Sequence, residues 1–312
     1  MENLIKNRFI FGTWALGGKW TFRNMPYGWG DLSIKESLKL IEEAYRNGIR
    51  IFDTAPCYGL GKAEEIIGDF IRIYNIKDVQ VITKAGKFLG PDGWYSLYKL
   101  ERLLNSIDES LNRVGSQTST ILIKDPEISF IRNNHISPLI QTLNNYHPTL
   151  TFGCSSHIQD IASLLPIADG KFNTLMLEIN MLNFTSVVPF LRIAKEKNYR
   201  VYAMQPLFYG LLSGKYNDIS QFPKDDWRTI FSNAWLDSKL RLVKSIKEYF
   251  DQIIKSTDYS LANIGIASLL SCELIDKVVI GPKTVSQLNN SLYSINLINN
   301  PLIKKWLNEH RY

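Results

Sequence analysis

Cysteine is scarce in this chain: Cys57, Cys154 and Cys272 are the 3 present, odd in number and far apart among 312 residues. Such spacing excludes a disulfide scaffold and the paired ligands of a zinc site, so they read as reduced thiols and no metal is expected. Long apolar runs are missing too. No stretch of about 18 apolar residues offers a transmembrane helix. Residues 1–6 lack the apolar segment of a signal peptide, so the expectation is a soluble, cytoplasmic protein without a membrane role. The net charge is +6, yet Lys and Arg are interleaved with Asp and Glu and form no basic tract. That argues against nucleic-acid binding and leaves the charge to serve solubility and attraction for an anionic cofactor or substrate. No low-complexity segment or linker divides the sequence, so residues 1–312 are expected to form a single domain.

With 45% apolar residues the chain can bury a large core. Short β-rich runs recur at 8–12, 50–53, 79–84, 120–124, 149–154, 174–178, 200–204 and 277–281, with amphipathic stretches between them. Within 33–47, Ile34, Leu38, Leu40, Ile41 and Ala44 fall near one helical face, and 97–114 and 237–256 show similar periodicity. Gly48 and Gly115 follow two of these stretches as stop signals. Strands alternating with helices imply parallel strands joined by right-handed crossovers. Eight such units suggest an α/β (β/α)8 TIM barrel, with a doubly wound open sheet as the alternative. The stretch 205–259 is too long for a simple loop, and its first half, with Gly210, Gly214, Pro223 and several aromatic residues, has the character of an active-site cover.

In a barrel, the C-terminal ends of the strands share one mouth. Asp53, Lys84 and Lys124 sit at or near the ends of three candidate strands, and Tyr58 lies in the loop beyond one of them, so the four can converge. The ordered matches run much further. They include Phe11-Gly12-Thr13-Trp14 with Leu16-Gly17-Gly18, then Tyr27-Gly28-Trp29-Gly30, then 48–59 through Glu64 and Gly68. Later come Gly153-Cys154-Ser155-Ser156-His157, Gln205-Pro206-Leu207 with 210–216, and 278–288. On these segments, over nearly its whole length, the chain resembles the aldo-keto reductases, NAD(P)H-dependent oxidoreductases built on this barrel.

The resemblance implies hydride transfer between a nicotinamide and the carbonyl or alcohol of a small molecule, sugars included, with Tyr58 delivering the proton. It implies that Lys84 lowers the pKa of Tyr58 from the usual value of about 10, and that Asp53 holds Lys84 in place and charged. Lys124, in Lys124-Asp125-Pro126, falls where the family usually carries a histidine that hydrogen-bonds the substrate carbonyl. An ammonium is a full charge on a flexible stem, unlike a neutral imidazole. Three uses are open. Charged Lys124 stabilises an oxyanion or grips a substrate carboxylate or phosphate. Otherwise the reductase activity is lost, leaving an NADP(H)-binding or regulatory barrel, or a neutral Lys124 serves lyase or isomerase chemistry as a base or Schiff-base amine. His135, His147, His157 and His310 offer no ready substitute.

For the cofactor, Tyr58-Gly59-Leu60-Gly61-Lys62-Ala63-Glu64 lacks the third glycine of a dinucleotide fingerprint, and Glu64 would repel a pyrophosphate. The resemblance instead places Gly12, Thr13, Trp14, Ser155 and Ser156 at the cofactor. It adds Met204, Gln205, Pro206 and Leu207 from the seventh strand end, with Met204 stacking on the nicotinamide. Gly210, Leu211 and Lys215 fold over the pyrophosphate. Gly281, Lys283, Thr284, Gln287 and Asn290 meet the adenosine end at a helix N-terminus, which favours NADP(H). Met176 stands where a glutamine often binds the carboxamide. Trp20, Tyr27, Trp29 and Cys57 are the expected walls of the substrate pocket.

Overall fold

The computed structural model describes residues 2–23, 25–90, 92–216, 218, 222 and 226–310; Pro223 lies outside them. Eight parallel strands close a barrel: β1 (Phe9–Gly12), β2 (Ile51–Asp53), β3 (Gln80–Ala85), β4 (Thr118–Lys124), β5 (Thr151–Ser156), β6 (Phe172–Glu178), β7 (Arg200–Met204) and β8 (Lys277–Ile280). Each pairs with its sequence neighbour, and β8 returns to β1 through Phe9 opposite Val278. The fold is the (β/α)8 barrel, and the open sheet is excluded by that last pairing.

Both faces of every strand are covered, which is why the strands read as nearly continuous apolar runs. Outward side chains such as Phe11, Phe52, Ile121, Phe152 and Val201 join the main core beneath the helices. Inward ones form a separate plug of Ile10, Ile51, Ile82, Leu122, Met176, Tyr202, Met204 and Val279. β5 offers Gly153 at this level, because a Cβ there would lie 1.9 Å from the Thr174 carbonyl oxygen.

The helices follow their amphipathic patterns. Ile34–Arg46 starts at a capping box, with the Ser33 hydroxyl accepting from the Glu36 N–H and the Glu36 carboxylate accepting from the Ser33 N–H. Leu100–Val114 stops at Gly115, whose N–H bonds back to Leu111. The long segment after β7 contains the helices Asn233–Tyr249 and Asp251–Ser256. Two antiparallel hairpins escaped the sequence reading, Gly18–Phe22 with Met25–Trp29 and Lys87–Gly90 with Gly93–Ser96, both in loops at the C-terminal mouth. Among the described residues no helix is long and apolar enough to cross a membrane.

Candidate active site

Alternation along a strand fixes what reaches the mouth. Two residues beyond the apolar plug, each strand turns another inward position toward its C-terminal end: Gly12, Asp53, Lys84, Lys124, Ser155, Glu178, Met204 and Gly281. Asp53, Lys84 and Lys124 were expected as charges ending strands, and Ser155, Met204 and the two glycines from the resemblance; Glu178 was not.

Asp53, Lys84 and Tyr58 meet as expected. The Lys84 ammonium donates to Asp53 Oδ1 at 2.6 Å, to the Thr54 carbonyl at 2.7 Å and to the Tyr58 hydroxyl at 3.3 Å. Lys84 is 2% exposed and Asp53 4%, so this pair is deeply desolvated. Its surroundings leave little play. Thr13 binds the Asp53 carbonyl through both its N–H and its hydroxyl, which fastens β1 to β2 and engages the hydroxyl's proton. The fully buried Glu64 accepts from Thr83, the neighbour of Lys84, and from Arg113. Gly59 has φ +64°, and a Cβ on it would stand 2.3 Å from the Gly17 carbonyl oxygen, so the Tyr58 turn lies backbone against backbone on the first loop.

The electrostatics correct one expectation. Tyr58 is held well above the usual phenol range by burial first, then by the Asp53 carboxylate, so any lowering by Lys84 is outweighed. Burial removes more hydration from a phenolate than one hydrogen bond at 3.3 Å restores. Burial likewise pushes Asp53 up against the opposing pull of Lys84, and pushes Lys84 down, with the charge of Lys124 adding to that fall. Lys124 goes the other way. Burial opposes its charge, yet Asp125, Cys57 and Asp53 together hold it above the ordinary lysine range.

Lys124 makes a long contact to Asp125 Oδ2 at 3.5 Å. The backbone beneath it is fixed: the Asp125 N–H donates to Ser155 O at 2.7 Å, and its carbonyl accepts from Tyr98 at 2.5 Å. Lys124, Lys84 and Cys57 line one cleft together with Lys87 of the second hairpin. The two hairpins meet where Trp20 stacks on Tyr27 at 5.0 Å and touches Trp94 edge-on at 5.9 Å. Trp29 is elsewhere. It stacks on Trp14 at 6.1 Å and lies under the Lys283 ammonium at 4.3 Å, so it groups with Trp14 and Lys283 and not with Trp20 and Tyr27.

The cofactor side carries buried polar atoms without good partners, which is what a bound amide would satisfy. The fully buried Ser155 hydroxyl reaches only the soft Met204 sulfur at 3.8 Å. Asn180 Nδ2 and Gln205 Oε1 have no hydrogen-bond partner. Ser156 receives the Ile158 N–H and keeps its own proton available. Met204 is at the mouth, while Met176 is fully buried in the plug. Beyond β7, Gln205, Phe208 and Tyr209 all have positive φ, a concentration of backbone strain at the entry to the covering segment. There Leu211 turns its side chain into the core, Pro206 is buried, Leu207 packs against the core, and Gly210 and the exposed Lys215 remain at the surface.

At the far end, Thr284 caps the helix Val285–Tyr293 by accepting from the Gln287 N–H, and the Gln287 side chain accepts from the Lys283 N–H. Gly281, Thr284 and Asn290 are exposed along this edge. Lys283 is pushed down by burial and by the neighbouring Arg228 guanidinium, so two cations lie close together there. Arg228 comes from the covering segment, in a bidentate pair with Asp226 at 2.9 and 2.6 Å, and Trp227 beside it packs edge-on to Trp14 at 5.1 Å. The donor set fits a nicotinamide dinucleotide: amide partners at β5–β7, aromatic cover, and cations at a helix start.

The missed Glu178 accepts from His157 at 2.9 Å and lies beside the hydroxyl of Tyr209, which burial first and this carboxylate second push up to about 12. Its signal was available, since it closes β6 as Lys124 closes β4.

Relatives agree with this architecture. The aldo-keto reductase YhdN of Bacillus subtilis is 26% identical over 224 residues, covering 71% of this chain and 65% of that protein. A probable voltage-gated potassium channel subunit beta of Arabidopsis thaliana is 23% identical over 316 residues, covering 95% and 91%. The structure of the glycerol dehydrogenase of Gluconobacter oxydans superposes with a TM-score of 0.70 at 21% identity, covering 97% and 90%. Residues 8–302 match the model of the aldo/keto reductase family, and the chain belongs to that family.

Proposed function

We propose that the protein reduces the carbonyl of a small molecule with NADP(H), and that Tyr58 supplies the proton. The carrying observation is the Asp53–Lys84–Tyr58 arrangement at the barrel mouth, with Lys84 bonded to both partners. When bound, the reduced nicotinamide supplies the hydride. The chain's own residues do the rest. A phenol held above its usual pKa arrives protonated, and the alkoxide that forms on carbonyl reduction is basic enough to take that proton. Lys84 then stabilises the tyrosinate left behind, across a hydrogen bond already in place. Ser155, Asn180 and Gln205 would hold the carboxamide, and Met204 would cover the ring. Lys283 supports NADP(H) over NAD(H), because a half-buried ammonium beside Arg228 gains most from an added phosphate.

Replacing Tyr58 by Phe tests this reading. Reduction of aldehydes should fall by about 10²–10⁴-fold, the range for a removed general acid, while NADPH quenching of tryptophan fluorescence persists. Undiminished reduction by the variant would sink the assignment. A second reading, binding without efficient turnover, draws on Met204 in place of a fixed stacking group and on the likeness to a channel subunit. NADPH binding with no oxidation across a panel of aldehydes and keto-sugars would favour it. Lyase or isomerase chemistry through a neutral Lys124 is opposed by the carboxylates that keep this amine charged.

A further inference from the structure

The mouth carries more positive charge than carbonyl reduction requires. Lys84 has its protons engaged by Asp53, Thr54 and Tyr58. Lys124 does not: an ammonium with three donors, its side chain 14% exposed, has one long contact at 3.5 Å. Lys87 brings a third ammonium to the same cleft, and among the described residues no carboxylate lines it, Asp53 and Asp125 lying behind Lys84 and Lys124. The carboxylates behind Lys124 keep it charged but leave most of its ammonium protons without a short partner, and a bound anion would supply one.

We propose that this cleft receives the carboxylate of the substrate, and that the natural substrate is a short oxo acid, reduced to the hydroxy acid. Lys124 grips the carboxylate and Lys87 supports it from the hairpin. The assignment rests on the carbonyl-reductase reading, which supplies the reduced nicotinamide as reductant: one hydride adds to carbon and one proton, from Tyr58, to oxygen.

The gap between these side chains is too small for a water molecule as it stands, so a carboxylate enters only when the lysine side chains swing aside, a motion their four-carbon stems allow. Lys84, bonded to the proton donor, lines this cleft as well, so the anion and the reacting carbonyl must lie within a few bonds of each other. A charge recognised this closely also explains what a lysine gives at position 124 that a neutral donor does not.

The test compares aldehydes of equal carbon number with and without a terminal carboxylate, glyoxylate against acetaldehyde and 4-oxobutanoate against butanal. With NADPH, kcat/KM should favour the acids by about tenfold to a hundredfold, the worth of one hydrogen bond to a charged group. Lys124→Met should abolish the preference, mainly through KM of the acids, Lys124→Arg should retain part of it, and Lys87→Met should reduce it less. Thermal unfolding checks that each variant folds. Malonate binding by calorimetry supplies a readout independent of turnover, and Lys124→Met should weaken it by about tenfold or more. Equal rates for acids and neutral aldehydes, with malonate binding indifferent to Lys124→Met, would overturn the inference and leave the reductase reading intact. A preference for glyceraldehyde 3-phosphate over the oxo acids would overturn the carboxylate assignment. Lys124-dependent malonate binding with no carbonyl reduced would sustain the anion site while removing the reductase reading.

Discussion

Two lysines at the same rim of the barrel are held in opposite ways. Lys84 on β3 sits at a crossing of short bonds, 2.6 Å to Asp53 and 2.7 Å to the Thr54 carbonyl, with its neighbour Thr83 tied to Glu64. Lys124 on the adjacent β4 has a contact of 3.5 Å to Asp125 and a cleft in front of it. One is a fixed part of the protein's interior; the other is the amine assigned above to the substrate. The distinction separates catalytic machinery, which must be pre-organised, from recognition, which is completed by the ligand.

The sharpest way to break this comparison is to remove each ammonium in turn. Lys84→Met leaves Asp53 buried without its partner and should cost about 3–5 kcal/mol in denaturant unfolding. Lys124→Met exchanges a loosely paired cation for an apolar side chain of similar length and should change stability by less than about 1 kcal/mol. Equal costs would mean that the contact at 3.5 Å is as structural as the one at 2.6 Å.

A smaller loss should follow from loosening the turn that aims Tyr58. Gly59→Ala places a Cβ 2.3 Å from the Gly17 carbonyl oxygen at a φ of +64°. It should cost about 1–3 kcal/mol in stability and lower kcat more than it raises KM for NADPH, because the displaced group is the proton donor. A variant with normal kcat would show that Tyr58 tolerates a shift the comparison forbids.

Lys283 extends the comparison to a third lysine, which like Lys124 has a neighbouring cation and, in addition, lies over the Trp29 ring. Lys283→Met should weaken NADPH binding by about tenfold and NADH binding far less, as read by fluorescence titration. Equal weakening of the two would assign Lys283 to a part of the cofactor that both share.

Much of this was legible in the sequence, for a physical reason. Strands buried on both faces and helices buried on one leave strong apolar patterns, so all eight strands could be placed. Asp53, Lys84 and Lys124 announced themselves as charges ending those strands. Glu178 ends β6 in the same way but was passed over because no family motif drew attention to it. The hairpin bringing Lys87 to the mouth was missed, since four-residue strands flanking a turn carry too little periodicity to stand out. The state of Tyr58 was misjudged because proximity to a cation can be guessed from sequence, whereas depth of burial cannot.

The subtlest difference between the two lysines should be visible in the pH profile of reduction. Burial lowers Lys84 from its ordinary value and the charge of Lys124 lowers it further, whereas Tyr58 and Lys124 are both held above theirs. Of these three groups, Lys84 is therefore the first to lose its proton as pH rises. The alkaline limb of kcat/KM should lie below the usual lysine range, belonging to the coupled site and not to Tyr58 alone. Lys124→Met removes one of the two influences that depress Lys84, so the limb should move upward, measured with a neutral aldehyde to keep substrate recognition out of the comparison. A limb that stays in place would show that the two amines do not sense each other. A rate that instead climbs with pH through the lysine range, and loses that climb in Lys124→Met, would make Lys124 a base and reverse the roles assigned to the two lysines.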